Sequence, residues 1–301
     1  MILVSQGHEA GIGIEVFIKA LFKKPQSEIN RYNFFCFQDS LEKTLHSLNL
    51  SYELSNTELI IKGKSLSLTT LSAPGKQTTI ALEAAISNLK EDDILMTLPS
   101  SKDQIEFQKV PCSGHTDYFR KRFNNPLISM NFLSEKLNLM LMTEHIGIDE
   151  VLNQLTPDFY YSKVKMTLNN INVFKQFDDV FFAGVNPHCG EDGLISNFDQ
   201  TLLDIPKKLT HEFPKLRFHP FKPADTLLLG GPVPNAFYIF NYHDQGLVPF
   251  KMLNGLKGIN LTLGLPFKRV SVDHGTAFEL FGKNSADESG MDYLLSSLIS
   301  L

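Results

Sequence analysis

The chain has 301 residues, enough for one large domain or two medium ones with a substantial core. Hydrophobic residues make up 43% and charged residues 20%, and the net charge of −5 argues against a nucleic-acid or membrane surface. The three cysteines, Cys36, Cys112 and Cys189, form no CxxC pair, which excludes a disulfide framework and a thiolate zinc site and predicts a reducing cytoplasm. MILVSQGHEAG lacks the basic start of a signal peptide, and no apolar run approaches the ~18 residues that span a bilayer.

The first third of the chain alternates predicted strands and helices. Strands are predicted at ILVSQ, YNFFCF, two short segments within 51–72, and DILMTLP. Helices are predicted at IGIEVFIKALFKK, at SLEKTLHSL with Ser40 as the N-cap, and at TTIALEAAISNLK. Alternation of this kind predicts an α/β sandwich with a largely parallel sheet.

The rest of the chain shows a different pattern. GHTD opens a predicted helix, PLISMNFLS and KLNLMLMTEH predict paired strands, and IDEVLNQL and 163–176 predict helices. A strand followed by a polar loop is predicted at DDVFFAGVNPH and at AFYIFNYHDQG. Further strands are predicted at INLTLGLPF and RVSVDHG, and helices at TAFELFG and MDYLLSSLISL. The pattern changes near 110–115 and 260–270. We therefore expect one α/β domain of 1–113 plus about 265–301, and a second of about 114–264.

Three histidines stand just beyond apolar runs: His145, His188 and His243. In open α/β sheets, ligands bind beyond the carboxyl ends of the strands, so these side chains can converge there. Neutral imidazoles are common ligands of Zn²⁺ and similar ions, and three of them leave a position open for substrate or water. A single histidine at a strand end is more often a hydrogen-bonded core or loop residue, and the spacing alone leaves both interpretations open.

Two further patterns are open to two interpretations each. The loop GHEAGIG is not GxGxxG, and with no acidic residue ending a second strand it is at least as typical of a tight turn as of a dinucleotide site. Lys251, Asn260 and Arg269 near strand ends can hold a phosphate or carboxylate, or belong to a solvated charged surface. The glycines around them favour close approach of a ligand.

Four segments carry a family resemblance: GHTDYF, NPHCGEDG, YHDQGLVPFK and GINLTLGLPFKRVSVDHGTAFELFGK. They closely resemble the 4-hydroxythreonine-4-phosphate dehydrogenase family of pyridoxal phosphate biosynthesis. Order and spacing fit most of the chain, with AGIG at the start and PADT before YHDQG. The resemblance implies a homodimer whose two-domain α/β/α subunit is of the isocitrate/isopropylmalate dehydrogenase type. It places the active site in the interdomain cleft, and gives the second domain most site residues and the dimer interface.

The resemblance also assigns residues. The family's metal ligands match His145, His188 and His243, with the third supplied across the dimer interface. Its substrate contacts match His115, Thr116, Lys251, Asn260 and Arg269. Candidate catalytic residues are Asp225, Lys102 and Asp244, the last as an orienter of His243 or a proton acceptor. No residue is assigned to the nicotinamide cofactor.

The implied reaction is NAD-dependent oxidation of 4-phosphooxy-L-threonine to a β-keto acid. That acid decarboxylates to 3-amino-2-oxopropyl phosphate, in pyridoxine 5'-phosphate biosynthesis. The cofactors are NAD, with NADP as the alternative, and one divalent metal per site, Zn, Mg or Co. The substrate is a small molecule, and no nucleic acid or membrane is an expected partner.

Loops near the implied site depart from the family pattern. GEPAGIGPE is replaced by GHEAGIGIE, TGPVHK by TLPSSK, and NPHAGE by NPHCGE, which places Cys189 beside a ligand. These changes affect the exact substrate and cofactor preference more than the reaction class. Three alternatives stay open: a paralogue that oxidises another phosphorylated hydroxy acid, such as a phosphorylated tetronate, a non-catalytic ligand-binding relative, or an acyl- or phosphotransferase on a related fold. The retained histidines, Lys251, Asn260 and Arg269 argue against the ligand-binding relative.

Overall fold

The computed structural model describes residues 1–300, without the side chain of Ser300, and the chain forms two compact α/β units. The first unit comprises Met1–Asn124, Leu256–Asn260 and the residues from Leu265 on. The second comprises Asn125–Gly255 and Leu261–Gly264. Every helix in the described part of the chain is too short or too polar to cross a membrane.

The first unit is built on a seven-stranded sheet of order β15-β6-β1-β2-β5-β4-β3. Its strands are β1 (Ile2–Ser5), β2 (Tyr32–Phe37), β3 (Tyr52–Leu54), β4 (Glu58–Ile61), β5 (Lys64–Leu71), β6 (Ile94–Thr97) and β15 (Lys268–Val272). Strands β15, β6, β1, β2 and β5 run parallel, and β4 and β3 add an antiparallel edge. β7 (Glu106–Phe107) and β8 (Val110–Pro111) form a separate hairpin.

The helices of the first unit are α1 (Gly13–Leu21), α2 (Gln26–Ile29), α3 (Gln38–Ser47), α4 (Gln77–Asn88), α5 (His115–Phe123) and α11 (Ser289–Ser297). Short 3-10 turns occupy Lys102–Gln104, Phe278–Leu280 and Leu298–Ser300. The apolar residues of α1 are buried, with Phe17 and Ile18 fully enclosed. Helix α5 belongs to this unit, although its residues lie in the range that the sequence pattern assigned to the second domain.

Two local predictions in this unit are wrong. Ser40 is not the N-cap of α3, because the helix already begins at Gln38, and the Ser40 hydroxyl instead donates to Gln77 Oε1 at 2.7 Å. Residues 51–72 form three strands rather than two, because the chain reverses twice, at 55–57 and at 62–63.

The second unit has a five-stranded sheet of order β12-β11-β13-β10-β9. Its strands are β9 (Ser129–Leu133), β10 (Leu139–Leu141), β11 (Asp179–Ala183), β12 (Arg217–Lys222) and β13 (Ala236–Phe240). β9 and β10 are antiparallel, which confirms the predicted strand pair, and the other neighbours are parallel. β14 (Ile259–Leu263) is divided between the two units at residue 260.

Helices of the second unit are α6 (Val151–Gln154), α7 (Pro157–Ile171), α8 (Ile205–Glu212), α9 (Ala224–Leu227) and α10 (His243–Asn254). Its core packs strand residues against α10, with Phe132, Tyr238, Phe240 and Phe250 almost fully buried. The segment HDQG, predicted as a polar loop, is the first turn of α10. The mixed α/β fold with a large, mostly parallel sheet agrees with the predicted fold class.

Candidate functional site

Three neighbouring strands of the second unit lead into the three candidate metal ligands. β11, β13 and β10 lie side by side and parallel, so their carboxyl ends share one edge of the sheet. His188 follows β11, His243 follows β13 and His145 follows β10. The sequence did not show whether these strand ends lie close together. The sheet order does show it, because it places three strand ends that are distant in the chain next to one another.

Two of these imidazoles meet directly. The ring centroids of His145 and His243, here called the histidine pair, are 5.5 Å apart. They line a cavity of about 400 Å³, of which the other walls are formed by Thr143, Glu144, Ile146, Ile148, Val151, Tyr242 and Asp244. The spacing and the neutral nitrogen donors suit two imidazoles that share one divalent ion. Across residues 1–300, however, no three His, Cys, Asp or Glu side chains are arranged to hold a metal, so His188 does not complete the site within one chain.

Asp244 orients the ring of His243. Its Oδ1 lies 2.6 Å from His243 Nδ1, and since an ionised carboxylate only accepts, the ring nitrogen donates. A neutral imidazole protonated at Nδ1 keeps its lone pair on Nε2. This contact fits Asp244 to the orienting role that the sequence left open, and it leaves Nε2 of His243 as the nitrogen that could bind a metal.

Gln245 connects two of the strand ends. Its Oε1 accepts from Asn241 N and its Nε2 donates to Gly184 O, both at 2.8 Å. The side chain of Asn241 donates to Ala183 O, also at 2.8 Å. Gln245 and Asn241 together tie the end of β13 to the end of β11, which fixes the starting points of the segments that carry His243 and His188.

A buried ion pair supports the turn that presents His145. Lys163 Nζ donates to Met142 O at 2.7 Å and lies 3.1 Å from Glu144 Oε1. Both side chains are 1–2% exposed, so each charge depends on the other. His145 itself has a left-handed φ of 55°, and the pair anchors the strand end immediately before that residue.

In the first unit, His115, Thr116 and Arg269 form a second group, here called the α5 cluster. The predicted helix start at GHTD is confirmed, with Gly114 as the N-cap of α5. His115 Nε2 and Thr116 Oγ1 are buried at the start of that helix without a hydrogen-bond partner. Arg269 is 2% exposed, and its Nη2 donates to Thr97 Oγ1 at 2.5 Å. Its guanidinium carbon lies 5.7 Å from the centre of the Phe119 ring.

Burial sets the protonation states of the α5 cluster. It lowers the pKa of His115 from 6.5 to about 3, with a smaller contribution from the charge of Arg269, so this imidazole is neutral at pH 7. Burial also lowers the pKa of Arg269, to about 9, which leaves the guanidinium charged at neutral pH. The cluster thus offers a desolvated cation beside a helix N-terminus, an arrangement that suits an anionic group of a ligand.

The remaining candidate residues lie on separate elements. Lys251 lies eight residues along α10 from His243, about 12 Å of helix rise, and is half-buried. Asn260 lies in β14, and its Oδ1 is buried without a hydrogen-bond partner. Lys102 is exposed at the start of the 3-10 turn after β6, and Asp225 is exposed in α9. Burial raises the pKa of the Cys189 thiol to about 11, with contributions from the charges of Asp199 and Asp225, so this thiol is not a nucleophile at neutral pH.

The glycine-rich loop near the start is filled by protein contacts. An ideal Cβ at Gly7 would lie 2.0 Å from Pro99 O, and His8 N donates to the same oxygen at 3.0 Å. Ile12 N donates to Thr276 O at 3.0 Å. These contacts occupy backbone groups at both ends of GHEAGIG and support the tight-turn interpretation. One detail is corrected: an acidic residue, Asp39, does stand two residues beyond β2, exposed in the first turn of α3.

Sequence reasoning missed the supports behind the histidines. Glu144 precedes His145 directly, and a charged residue two positions beyond the apolar run LMLM was a usable signal. Lys163 and Asp199 lie on elements remote in sequence from the residues they bond, and no local pattern marks them.

Comparison with known proteins places this chain in a known family. A family model described as "Pyridoxal phosphate biosynthetic protein PdxA" matches residues 26–295. A 4-hydroxythreonine-4-phosphate dehydrogenase of Sulfurihydrogenibium sp. is 32% identical over 318 residues, which cover 95% of this chain and 93% of the relative. A protein of Oceanobacillus iheyensis named "Putative D-threonate 4-phosphate dehydrogenase" is 29% identical, over 99% of this chain and 96% of its own length.

Solved structures support the same fold. The crystal structure of 4-hydroxythreonine-4-phosphate dehydrogenase from Klebsiella pneumoniae matches with a TM-score of 0.75 and 23% identity, covering 100% of this chain and 99% of that one. The enzyme of the same name from Burkholderia phymatum matches with a TM-score of 0.70 and 24% identity, over 99% and 96% of the two chains. At these identities the likeness concerns the fold.

Proposed function

Since the chain belongs to the family of pyridoxal phosphate biosynthetic proteins PdxA, we propose that it oxidises 4-phosphooxy-L-threonine with NAD. The product is a β-keto acid, which loses carbon dioxide to give 3-amino-2-oxopropyl phosphate. The family resemblance read from the sequence motifs is thereby confirmed. Relatives named dehydrogenases make the chain an oxidoreductase that uses a nicotinamide cofactor, which accepts the hydride.

The observation that carries this proposal is the histidine pair with Asp244 behind it. His145 and His243 provide two nitrogen donors 5.5 Å apart by ring centroid, and Asp244 leaves Nε2 of His243 available. These residues fit a divalent ion such as Zn²⁺, Mg²⁺ or Co²⁺, with nitrogen donors favouring zinc or cobalt over magnesium. Such an ion supplies Lewis-acid stabilisation of negative charge on the substrate's oxygen atoms.

A second copy of the chain completes the site. No three-ligand group exists within residues 1–300 of one chain, so a site of His145, His188 and His243 needs a partner subunit. The second unit also exposes large apolar side chains that a monomer would leave in water: Leu194, Leu229, Val248 and Met252. Val248 and Met252 are four residues apart and so share one face of α10, the helix that begins with His243. These features support a homodimer whose interface includes this face.

For the anionic parts of the substrate, the candidate residues are those of the α5 cluster in the first unit and, separately, Lys251 in the second. Arg269 remains charged in a desolvated position, where a hydrogen bond to a phosphate or carboxylate is worth more than in water. Among residues 1–300, Thr116 Oγ1 and His115 Nε2 have no hydrogen-bond partner, and they can bond to the same group of the substrate. Lys251 contributes a point charge from α10, and Asn260 contributes a buried amide oxygen. The candidates for proton transfer are Lys102 and Asp225.

A two-substrate assay tests this function. Purified protein with NAD and Zn²⁺ or Co²⁺ should form NADH, measured by absorbance, with 4-phosphooxy-L-threonine. The competing substrate is D-threonate 4-phosphate, a phosphorylated tetronate, because one relative of similar identity is named for it. Turnover of the tetronate without turnover of the threonine derivative would overturn the proposed substrate. Failure of both substrates, with no bound metal by elemental analysis, would favour a non-catalytic relative.

A further inference from the structure

The segment that carries His188 has an unusual backbone. Residues 188–192, HCGED, all take positive φ angles, between 47° and 78°, so they form a left-handed turn. A left-handed conformation costs roughly 1–2 kcal/mol for each residue with a side chain, and runs of such residues are rare. A turn of this kind persists only where its surroundings hold it.

The turn is held from inside at Gly190. Its carbonyl accepts from Ile195 N at 3.0 Å and from Ser196 N at 3.3 Å. A Cβ at Gly190 would lie 2.2 Å from Ser196 O, so only glycine fits there. These contacts fold the turn back on itself, but they do not attach it to the sheet.

Asp199 provides the attachment. This carboxylate is 1% exposed, and its Oδ1 accepts from Val185 N at 2.7 Å and from Asn186 N at 3.3 Å. Its Oδ2 accepts from the Asn186 side chain at 2.7 Å. The Asn186 carbonyl in turn accepts from Cys189 N at 3.1 Å, so a continuous chain of bonds runs from Asp199 to the residue after His188.

We infer that Asp199 is a positioning residue: it holds the left-handed turn so that His188 is presented as a metal ligand. The inference deepens the function proposed above and rests on it for the metal. Charged acceptors bond backbone N–H groups more strongly than neutral acceptors do. Asp199 accepts from the N–H groups of Val185 and Asn186, the second and third residues after β11. Without the carboxylate, the strain in the turn is released and His188 samples other positions.

The chain offers a matched control in Asp179. It too is a buried carboxylate of the second unit, at the opposite end of β11 from the turn. It accepts from Arg217 Nε at 2.9 Å, from Arg217 Nη2 at 2.6 Å, and bonds His219 Nε2 at 2.7 Å. Asp179→Asn and Asp199→Asn each weaken one buried acceptor without changing side-chain size. The two variants therefore differ mainly in whether the His188 turn is affected.

The experiment compares both variants with the unmutated protein in two measurements. Hydrogen–deuterium exchange of the metal-free protein should show at least tenfold faster exchange within 185–196 in Asp199→Asn, and unchanged exchange there in Asp179→Asn. Titration with Co²⁺ should show about tenfold weaker binding and an altered Co²⁺ absorption spectrum in Asp199→Asn only, the size expected when a residue behind a metal ligand is lost. Thermal unfolding of both variants checks that a general loss of stability is not the cause.

Each outcome decides the inference. Unchanged exchange within 185–196 in Asp199→Asn, or equal effects of the two variants on exchange and Co²⁺ affinity, would overturn it. If the unmutated protein binds no Co²⁺, the metal site proposed above fails instead, and the inference as stated fails with it, whereas the exchange result still shows whether Asp199 holds the turn. If Asp199→Asn does not fold, Asp199→Glu, which keeps the charge but displaces the carboxylate, is measured in the same way and should exchange faster within 185–196 and bind Co²⁺ more weakly than the unmutated protein.

Discussion

In the histidine pair, the side chain of His243 is 41% exposed and is oriented by a carboxylate that is itself 79% exposed. In the α5 cluster, Arg269 is 2% exposed and the orphan nitrogen of His115 is buried. The histidine pair is open to solvent, and it is ordered by the hydrogen bond from His243 to Asp244 and by the buried Lys163–Glu144 ion pair next to His145. The α5 cluster is enclosed by the protein without any ligand bound. A metal ligand needs a free lone pair and room for other donors, whereas an anion is bound most strongly by a cation already removed from water.

The comparison predicts different failures for the two groups. Loss of a metal ligand removes transition-state stabilisation and lowers kcat, while loss of an anion contact weakens substrate binding and raises KM. The first effect should be larger, because the ion acts on the reacting atoms. Four predictions test the two groups, from the largest expected effect to the smallest.

The largest effect is expected for His243→Ala. It removes one imidazole of the histidine pair, and the several kcal/mol supplied by a metal ion correspond to roughly 10³-fold or more in kcat/KM. Steady-state kinetics and elemental analysis of the purified protein measure activity and metal content together. His211→Ala, an exposed position on α8, serves as the control and should retain both. Full activity of His243→Ala would remove the histidine pair from the mechanism.

Arg269→Lys should cost less, roughly 10- to 100-fold in kcat/KM, mostly through KM. Lysine keeps the charge but lacks the planar fork that bonds an anion with two N–H groups, and it cannot keep the bond to Thr97 in the same geometry. Comparing 4-phosphooxy-L-threonine with 4-hydroxythreonine shows which anion is held. If Arg269 binds the phosphate, the loss caused by the substitution should nearly vanish with the unphosphorylated substrate. An equal loss with both substrates would assign Arg269 to the carboxylate.

The third effect concerns the pH dependence of stability. Because the pKa of His115 is about 3 in the folded protein and 6.5 in the unfolded chain, only the unfolded chain takes up this proton between those values. The folded state therefore loses stability as pH falls below 6.5, by up to ~1.4 kcal/mol per pH unit from this group. His115→Gln should lose stability less steeply than the unmutated protein between pH 7 and 5, as measured by urea unfolding. Above pH 7.5 the two curves should run parallel, and equal slopes at all pH values would contradict the buried neutral state.

Much of the fold could be predicted because the relevant signals are local. Strand β13 is an unbroken apolar run, β1, β2 and β11 are mostly apolar, and α5 starts at the predicted GHTD. The start of α10 could not be predicted in this way. HDQGLVPFK contains Gly246 and Pro249, both poor helix formers, and the helix exists because Leu247 and Phe250 are buried against the sheet. Tertiary packing overrides local propensity at that point.

In the candidate site, too, some features could be predicted from local sequence, and others depend on the tertiary structure. Histidines beyond apolar runs were visible in the sequence, but the meeting of His145 with His243 depends on β10 lying next to β13, which follows from the whole sheet. The supports are less visible still. Asp199 is ten residues beyond Cys189, in a segment without motif, and its role exists only through the bonds to Val185 and Asn186.

The smallest effect is expected at Asp244, and it is the finest test of how the open group is ordered. Asp244→Asn keeps an oxygen that can accept from His243 Nδ1, so Co²⁺ affinity should fall only a few-fold, whereas Asp244→Ala removes the acceptor and should cost about tenfold. A proton-accepting role for Asp244 predicts something else: both variants should lose kcat to a similar degree while Co²⁺ affinity changes little. Because the carboxylate is highly exposed, its hydrogen bond competes with water, and this limits the loss of affinity. Metal titration and steady-state kinetics on the same two variants therefore separate an orienting carboxylate from a proton acceptor.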